Sequence, residues 1–380
     1  MTLPLFHWTQ VLILVGLALW LGFWIASRIK PKSQAPDANK DTQTRVNTPA
    51  LEHVQLAFQS GQLGFEESLE LAATYRRKGD LEQAISIHQS LYGRPGLAWR
   101  DMQRAQYELA NDFFQAGIFS RAEDLLESLI EQKGELKLLT AQLLIRLYVQ
   151  QKDWHKAVDL FMTQPDFMNK SLGWTYANVL CEQAEQVMAL NPQQAQQLVQ
   201  LARQRNPDSV RPDLVLMSLS QQQRRWRDWF SQVQNFLRKH PERIDLIRQN
   251  IDAALQEQPE LQSKMSAFLK SISQHPQIRL YRSELAIRLQ QPAEASHLLK
   301  SIDLDWDALL LRIRHLAHEL NHPELSQLYQ ELHRSDQKRR RYQCSHCGYE
   351  ALQHRWHCPQ CERWETLKPA SAHQNSNLLL

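Results

Sequence analysis

The segment LELAATYRRKGDLEQAISIHQSL, residues 69–91, carries a spacing of residue types that occurs again at 107–129 and at 141–164. An aromatic residue is followed four positions later by a glycine, five positions after that by an alanine, and after four more by a bulky residue. In the first copy these four are Tyr75, Gly79, Ala84 and His88. Apolar residues between them recur every three or four positions, which predicts two amphipathic helices separated by a short turn.

The second and third copies keep this register. The second has Phe113, Gly117, Ala122 and Leu126, and the third has Tyr148, Lys152, Ala157 and Phe161. The alanines are 38 and 35 residues apart, and only Lys152 departs from the pattern, at the glycine position. This repeat resembles the tetratricopeptide repeat, in which small residues let two helices pack closely and a glycine closes the turn. The resemblance implies an array of helical hairpins.

Later copies are weaker. Ala195, Ala202 and Pro207 fit the second helix of a fourth repeat, and Trp226, Trp229, Phe236 and Pro241 fit a fifth in which tryptophan replaces the small alanine. Residues 244–333 contain no glycine and read as amphipathic helices separated by prolines. We expect six to eight hairpins in all. An irregular helical bundle is the alternative, and the register after residue 206 stays open.

The composition agrees with a helical protein. Glycine numbers only 11 of 380 residues, about 3% against a usual share of about 7%, which disfavours glycine-rich phosphate loops and doubly wound α/β sheets. The 44 Lys and Arg residues nearly balance the 41 Asp and Glu residues. A formal net charge of +3 gives no field along the whole chain that would bind nucleic acid non-specifically.

The N-terminal segment predicts a membrane anchor. From Thr2 to Ser27 no residue carries a formal charge, and a helix of this length, about 39 Å, crosses a bilayer. Arg28 and Lys30 follow the apolar run, and the positive-inside rule therefore places the rest of the chain in the cytoplasm. We assign residues 1–30 to a transmembrane anchor, residues 31–50 to a flexible linker and residues 51–337 to the helical array.

Four of the five cysteines lie in the C-terminal segment YQCSHCGYEALQHRWHCPQCERWETLKP. The spacing is C-x2-C, ten residues, C-x2-C, which forms two tight knuckles and a tetrahedral four-sulfur site for one zinc or iron ion. The predicted ligands are Cys344, Cys347, Cys358 and Cys361. Such a site is coordinatively closed, which favours a structural role over catalysis. We assign residues 338–370 to this metal-binding module and residues 371–380 to a disordered tail.

Other readings of the module remain open. Iron in a four-sulfur site could transfer electrons, as in the rubredoxins that the knuckles resemble, and a zinc ribbon beside Lys338–Arg341 could bind nucleic acid. His346, His354 and His357 are expected to be exposed or to lie behind the ligands, because four cysteines complete the tetrahedron. A small core is expected from Tyr342, Tyr349, Trp356 and Trp364. The fifth cysteine, Cys181, is expected to be a small buried hydrophobe.

In tetratricopeptide arrays the first helix of each hairpin lines a groove that binds peptides or proteins. Transferred by register, the resemblance places seven residues toward such a groove. They are Arg104, Tyr107, Asn111, Phe114, Gln142, Arg146 and Val149. The array therefore predicts a binding protein and not an enzyme.

The order of anchor, array and metal module resembles the lipopolysaccharide assembly protein B family of Gram-negative bacteria. The most specific stretch reads Y-x-C-x-x-C-G-aromatic, then W-H-C-P-x-C-x-x-W, then K-P, and residues 342–369 match each of these positions. The fold so predicted is all-α: a tetratricopeptide-repeat superhelix with one N-terminal transmembrane helix and a small C-terminal rubredoxin-like zinc-ribbon module. A longer N-terminal segment and the weak later repeats depart from the family pattern.

The resemblance implies a cytoplasm-facing adaptor in the bacterial inner membrane. It implies that the chain helps a membrane-bound AAA+ metalloprotease degrade the lipid A deacetylase, and that it contacts an inner-membrane lipopolysaccharide-sensing regulator and other lipopolysaccharide assembly proteins. A general scaffold for lipopolysaccharide synthesis and transport proteins is the first alternative, and a zinc-ribbon nucleic-acid-binding protein is the second. Self-association is left open.

Overall fold

The computed structural model describes residues 56–58, 60–132, 134–163, 170–302, 306–321, 323–336 and 341–370. Within these residues the chain forms sixteen α-helices, one short 3₁₀ turn at Pro241–Arg243 and three short strands. The predicted anchor, linker and tail lie outside the described residues. Among the helices that are described, none is both long and apolar enough to cross a bilayer.

The helices follow one another as eight hairpins, at the upper end of the predicted number. Hairpins 1 to 4 consist of α1 (Phe65–Lys78) and α2 (Leu81–Tyr92), α3 (Trp99–Gln115) and α4 (Phe119–Ile130), α5 (Lys137–Gln151) and α6 (Trp154–Thr163), and α7 (Lys170–Val187) and α8 (Pro192–Arg205). Hairpins 5 to 8 consist of α9 (Arg211–Gln222) and α10 (Trp226–Lys239), α11 (Ile244–Glu257) and α12 (Leu261–Ser271), α13 (Pro276–Arg288) and α14 (Pro292–Lys300), and α15 (Trp306–Glu319) and α16 (Pro323–Asp336).

The repeat register predicted from the sequence is confirmed by burial. The three aligned alanines, Ala84, Ala122 and Ala157, are fully buried, and each is the fourth residue of the second helix of its hairpin. The aligned aromatic and bulky positions are buried as well. The same fourth position is Ala195 in α8 and Trp229 in α10, both fully buried. Small side chains at this position let the paired helices approach closely. In hairpin 5 the large side chain of Trp229 occupies the same position.

Among the described residues, six of the eight hairpin turns contain a left-handed residue. Gly79 and Gly117 end the first helices of hairpins 1 and 2 with φ of 84° and 72°, where glycine meets no penalty from a Cβ atom. Lys152, at the position where the third repeat lacks glycine, adopts φ of 58°. The corresponding turn residues of hairpins 5, 7 and 8 are also left-handed: Arg224, Gln290 and Asn321. The left-handed turn is thus kept in hairpins 3, 5, 7 and 8, which lack the glycine, whereas the turns of hairpins 4 and 6 contain no left-handed residue in the part of the chain that the structure describes.

The chain divides into two compact units, Met1–Ala122 and Glu123–Leu380. In the first unit, a buried polar network joins hairpins 1 and 2. Asp112 accepts hydrogen bonds from His88 Nδ1 at 2.5 Å and from an Arg76 nitrogen at 2.8 Å, and all three side chains are largely shielded from water. Pairing of this kind offsets the cost of burying a carboxylate.

The second unit begins within α4 and contains hairpins 3 to 8 and the cysteine module. In the module, β1 (Tyr342–Cys344) lies between β2 (Glu350–Ala351) and β3 (Leu367–Pro369), and both pairings are antiparallel. Tyr342 is opposite Ala351 on one side and Pro369 on the other. The fold is therefore a mostly helical tetratricopeptide-like array with a C-terminal zinc-ribbon module.

Candidate metal centre

The module brings its four cysteine sulfurs together, with all four Sγ atoms within 4.8 Å of one another. Cys344 and Cys361 are 3.7 Å apart between sulfurs, and Cys347 and Cys358 are 3.6 Å apart. A tetrahedron with metal–sulfur bonds of about 2.3 Å has edges of about 3.8 Å, so these separations suit a single ion. The four cysteines form a rubredoxin-like metal site, and four thiolates are a ligand set for both zinc and iron.

Each knuckle is closed by a backbone hydrogen bond. In the first, the Gly348 N–H donates to the Cys344 carbonyl at 3.0 Å, and in the second the Glu362 N–H donates to the Cys358 carbonyl at 2.9 Å. Gly348 adopts φ of 76°, which a residue without a Cβ atom reaches at no steric cost. The glycine in the C-x2-C-G sequence of the first knuckle is thus explained by the left-handed backbone that the turn requires.

Hydrogen bonds prepare Cys344 for metal binding. Burial favours its neutral thiol, but the Thr366 hydroxyl at 3.2 Å and the backbone N–H groups of Cys347 and His346 outweigh burial and lower the pKa of Cys344 to about 6. Metal binding requires thiolates, and these hydrogen bonds favour the thiolate of Cys344, whereas burial raises the pKa of Cys361 to about 12, so ion binding has to displace protons from the cluster. A bound ion supplies a structural cross-link between the two knuckles.

The three module histidines lie outside the four-sulfur cluster. His346 is exposed. His357 Nε2–H donates to the Glu362 carbonyl at 3.0 Å, and its ring packs on Trp364 with the centroids 4.7 Å apart. His354 lies edge-on to both Tyr342 and Trp356, and burial, with the nearby charges of two arginines, lowers the pKa of His354 to about 4. His354 is therefore neutral at physiological pH.

The core of the module differs in part from the expected aromatic cluster. Ala351 and Leu367 are buried with Cys344 and Cys358, while Tyr342 and Tyr349 are half-buried beside them. Trp356 packs instead against the buried hydrophobic cluster of the helical array. The reason is the size of the module: so small a sheet has room for short side chains, and its larger rings are covered by the array.

Arg211, at the start of α9, is central to the contact between module and array. Its side chain is almost fully buried, and its guanidinium carbon lies 5.3 Å from the Trp356 ring centroid and 5.7 Å from that of Trp364. The guanidinium donates to Glu182 at 2.6 Å and to Asn178 Oδ1 at 3.2 Å. Paired carboxylate and aromatic partners are what a buried guanidinium requires.

Further polar contacts place the module against the first helices of hairpins 3 to 6. The Tyr342 hydroxyl donates to Asp245 in α11 at 3.0 Å. Glu362 accepts from Arg146 Nε in α5 at 2.6 Å, and Glu365 accepts from Asn178 Nδ2 in α7 at 2.8 Å. In tetratricopeptide repeats these first helices line the groove. In the second unit, that face carries the protein's own metal module.

The groove residues predicted in the first unit have mixed surroundings. Arg104 is half-buried and donates to Glu66 in α1 at 2.9 Å, and Tyr107 is half-buried as well. The side-chain oxygen of Asn111 accepts a long hydrogen bond from Gln115 at 3.4 Å. Phe114 is buried and packs on Phe119, so its ring lies inside the hairpin and not on the groove surface.

In the second unit, Gln142 is half-buried and Val149 is buried. Arg146 is exposed but is engaged by Glu362 of the module, so its guanidinium already serves a contact within the chain. Cys181, as expected, is buried, and burial raises the pKa of its thiol to about 12. An inert neutral thiol follows.

Sequence reasoning missed Arg211, Glu362 and Glu365. No repeat position marks Arg211, and the two glutamates fall at variable positions of the cysteine motif. The available signal was weak: the second knuckle has the acidic Glu362 where the first has glycine, and a second acidic residue, Glu365, directly follows Trp364.

Comparisons with known proteins support the resemblance. Residues 342–369 match a family described as rubredoxin metal binding domain. Lipopolysaccharide assembly protein B of Haemophilus influenzae is 23% identical over 321 residues, covering 82% of this chain and 81% of that protein. The protein of the same name from Escherichia coli K12 is 22% identical over 316 residues, covering 80% of each. The predicted resemblance to lipopolysaccharide assembly protein B is thereby confirmed.

Among solved structures, a tetratricopeptide repeat protein from Parabacteroides merdae is 14% identical and covers 71% of this chain and 92% of its own, with a TM-score of 0.32. The assembly chaperone of RpL4, also 14% identical, covers 69% and 98%, with a TM-score of 0.27.

Proposed function

We propose that this chain is an adaptor that binds protein clients in lipopolysaccharide assembly and its regulation. The observation that carries the proposal is the similarity to lipopolysaccharide assembly protein B over about four fifths of the chain. A helical array and a closed four-cysteine module support a binding role. Neither offers an open metal position for water or substrate, and we assign the chain no catalytic step.

We assign client binding to the first unit. There α3 presents Tyr107 and Asn111 together with Arg104, which also pairs with Glu66 of α1, and all three side chains are at least partly accessible. In the second unit the corresponding face of hairpins 3 to 6 is covered by the metal module, and Arg146 is already engaged by Glu362. A client that binds the second unit has to use another surface.

The proposed client is the lipid A deacetylase, presented to a membrane-bound AAA+ metalloprotease. An adaptor held on the same membrane as the protease raises the local concentration of both partners without new catalytic groups. Contacts with a lipopolysaccharide-sensing regulator would set how much deacetylase is presented. These partners follow from the family resemblance.

The anchor belongs to the same proposal. The uncharged run from Thr2 to Ser27 lies outside the described residues, and its length and the basic residues after it support a single pass through the bacterial inner membrane with the array on the cytoplasmic side. A chain lacking residues 1–30 should leave the membrane fraction and lose most of its function. A fully functional truncation would refute the anchor's role.

A site-specific photo-crosslinking experiment tests the client surface. A photoreactive amino acid is placed at Tyr107 of the full chain in membranes, with a matched probe at Ser90, an exposed residue of the second helix α2. Crosslinks to the deacetylase or the protease from position 107 and not from position 90 are expected. Equal labelling from both positions would contradict the assigned face.

The lifetime of the deacetylase separates the adaptor from its alternatives. Depletion of this chain should lengthen that lifetime, and re-expression of the full chain should shorten it again. A general scaffold would crosslink assembly enzymes and leave the lifetime unchanged. A nucleic-acid-binding protein would instead bind oligonucleotides with an affinity that falls steeply with salt.

A further inference from the structure

The two metal knuckles are built alike, but they differ at one residue. Gly348 directly follows Cys347, Glu362 directly follows Cys361, and both N–H groups close the same turn. Their φ values are 76° and 55°. Glycine accepts this left-handed conformation freely, whereas a side chain at the same place meets steric strain. The second knuckle therefore holds a glutamate where its own backbone favours glycine.

The side chain of Glu362 makes contacts that explain this choice. One carboxylate oxygen accepts from Arg146 Nε at 2.6 Å, and the other accepts from Gln150 Nε2 at 3.2 Å. Both partners are on α5. A glycine would relieve the turn and remove both hydrogen bonds to the array. These two hydrogen bonds help to hold Glu362 in a backbone conformation that is unfavourable for a residue with a Cβ atom.

A second glutamate repeats the arrangement three residues later. Glu365 also has a left-handed backbone, with φ of 58°. Its carboxylate accepts from Asn178 Nδ2 at 2.8 Å and from Ser209 Oγ at 2.7 Å, so it joins α7 to the residues just before α9. Two strained glutamates thus connect the region of one knuckle to the first helices of hairpins 3 and 4 and to Ser209, just before the first helix of hairpin 5.

We propose that Glu362 and Glu365 form a latch that couples metal binding to the docking of the module on the array. Cys361 is a metal ligand, and the turn after it sets the direction of the Glu362 side chain. A bound ion holds this turn and so keeps the carboxylate aimed at Arg146. The coupling is reciprocal, since two linked equilibria must favour each other by the same factor.

The latch has a consequence that is not obvious from the metal site alone. Arg146 is on α5, in the helical array, and it is not a metal ligand. Its removal should nevertheless weaken metal retention, because the docked state that favours the closed knuckle is lost. The latch would operate whichever client the chain binds.

Zinc release from the purified, zinc-loaded full chain into an excess of chelator tests the latch. Arg146→Ala and Glu362→Gln should each release zinc about five-fold faster than the wild type, which takes the lower end of the usual range for equilibrium coupling and assigns all of it to the release rate. The double variant should release zinc no faster than the faster single variant, since both remove one interaction. The matched control is Arg203→Ala, whose guanidinium pairs with Asp213 within the array.

Hydrogen exchange measured by mass spectrometry gives a second readout. In Arg146→Ala, peptides from residues 350–369 should exchange faster, while those of α1 and α3 in the first unit should not change. Stripping zinc from the wild type should loosen α5 and α7 in the same way. Wild-type zinc release and unchanged exchange in Arg146→Ala would overturn the latch. Equal acceleration by the Arg203→Ala control would overturn it too, because the effect would then be a general loss of stability.

Discussion

The guanidinium of Arg211 lies over the indole of Trp356, with 5.3 Å between the guanidinium carbon and the ring centroid. One residue begins a helix of the array and the other belongs to the metal module. The two parts of the second unit are therefore joined through a buried charge. Replacing that charge should weaken the packing of the module on the array.

Arg211→Met should lower the free energy of unfolding of the second unit by about 2–3 kcal/mol. Removing one partner of a fully buried ion pair costs about 3–5 kcal/mol, and the figure is smaller here because Glu182 and Glu185 keep contact with water. Urea unfolding followed by circular dichroism measures the change. Arg203→Met, in an exposed pair, serves as the control and should cost well under 1 kcal/mol. Equal effects of the two variants would show that burial of Arg211 is energetically unimportant.

Replacing Cys344 and Cys347 with serine should release the metal and lower the melting temperature of the full chain. The module is too small to hold its shape without the cross-link, and its loss exposes the array face that it covers. Metal content by mass spectrometry and thermal unfolding are the two measurements. Helix content should stay close to that of the wild type, since most helices do not contact the module. A double variant that keeps its melting temperature would contradict the structural role of the site.

Thiol reactivity should separate the five cysteines into two classes. Four form the metal site, and Cys181 is buried with the pKa of its thiol raised to about 12. A thiol reagent at pH 7.5 should label four cysteines after a chelator is added and the fifth only after the array is unfolded. Rapid labelling of Cys181 in the native chain would show that α7 opens readily.

Asp245→Asn should stabilise the protein at neutral pH. Burial raises the pKa of Asp245, although the Tyr342 hydroxyl partly opposes this by donating to the carboxylate, and one carboxylate oxygen is buried without a partner. A raised pKa in the folded state means that Asp245 binds its proton more tightly when folded, so the contribution of Asp245 to wild-type stability falls as the pH rises through that pKa. The gain from asparagine should be largest at pH 7 and should vanish at acidic pH, where Asp245 is protonated. Melting temperatures measured from pH 3.5 to 7.5 test this, and a constant difference would exclude titration of Asp245 as the cause.

Lys152→Gly should raise the stability of hairpin 3 by about 0.5–1 kcal/mol. Lys152 ends α5 with φ of 58°, and glycine removes the steric penalty of that conformation. Lys152→Ala, which keeps the Cβ atom, is the control and should bring no such gain. Urea unfolding of both variants is the measurement. If Lys152→Ala also raised the free energy of unfolding, the gain would come from removing the lysine side chain and not from relieving its backbone.

The sequence predicted the structure correctly at positions where only one structural requirement explains the residue type. Ala84, Ala122 and Ala157 are small because two helices meet at those positions, and their spacing predicted the first three hairpins correctly. The four cysteines have the spacing of two metal knuckles, and the structure brings their sulfurs together. Local chemistry of this kind can be seen without coordinates.

The later hairpins were harder to place because their turns and contacts use other residues. Arg224 and Gln290 take the left-handed turn position that glycine marks in the first repeats, and Trp229 takes the position of alanine.

The docking of the module could not be predicted from the sequence for a different reason. Arg146 and Glu362 are 216 residues apart in the chain, and neither belongs to a motif that names its partner.

The covered face of hairpins 3 to 6 also affects how the protein is made. A ribosome produces these helices well before the cysteines, so the nascent array emerges with Arg211 lacking its two indole neighbours. Domains commonly fold from the N-terminus while synthesis continues. The last step of maturation is then the capture of one metal ion by a few late residues. A cell short of that ion would accumulate chains whose helices are complete but whose module is not docked on the array. Quality-control proteases would degrade such chains early.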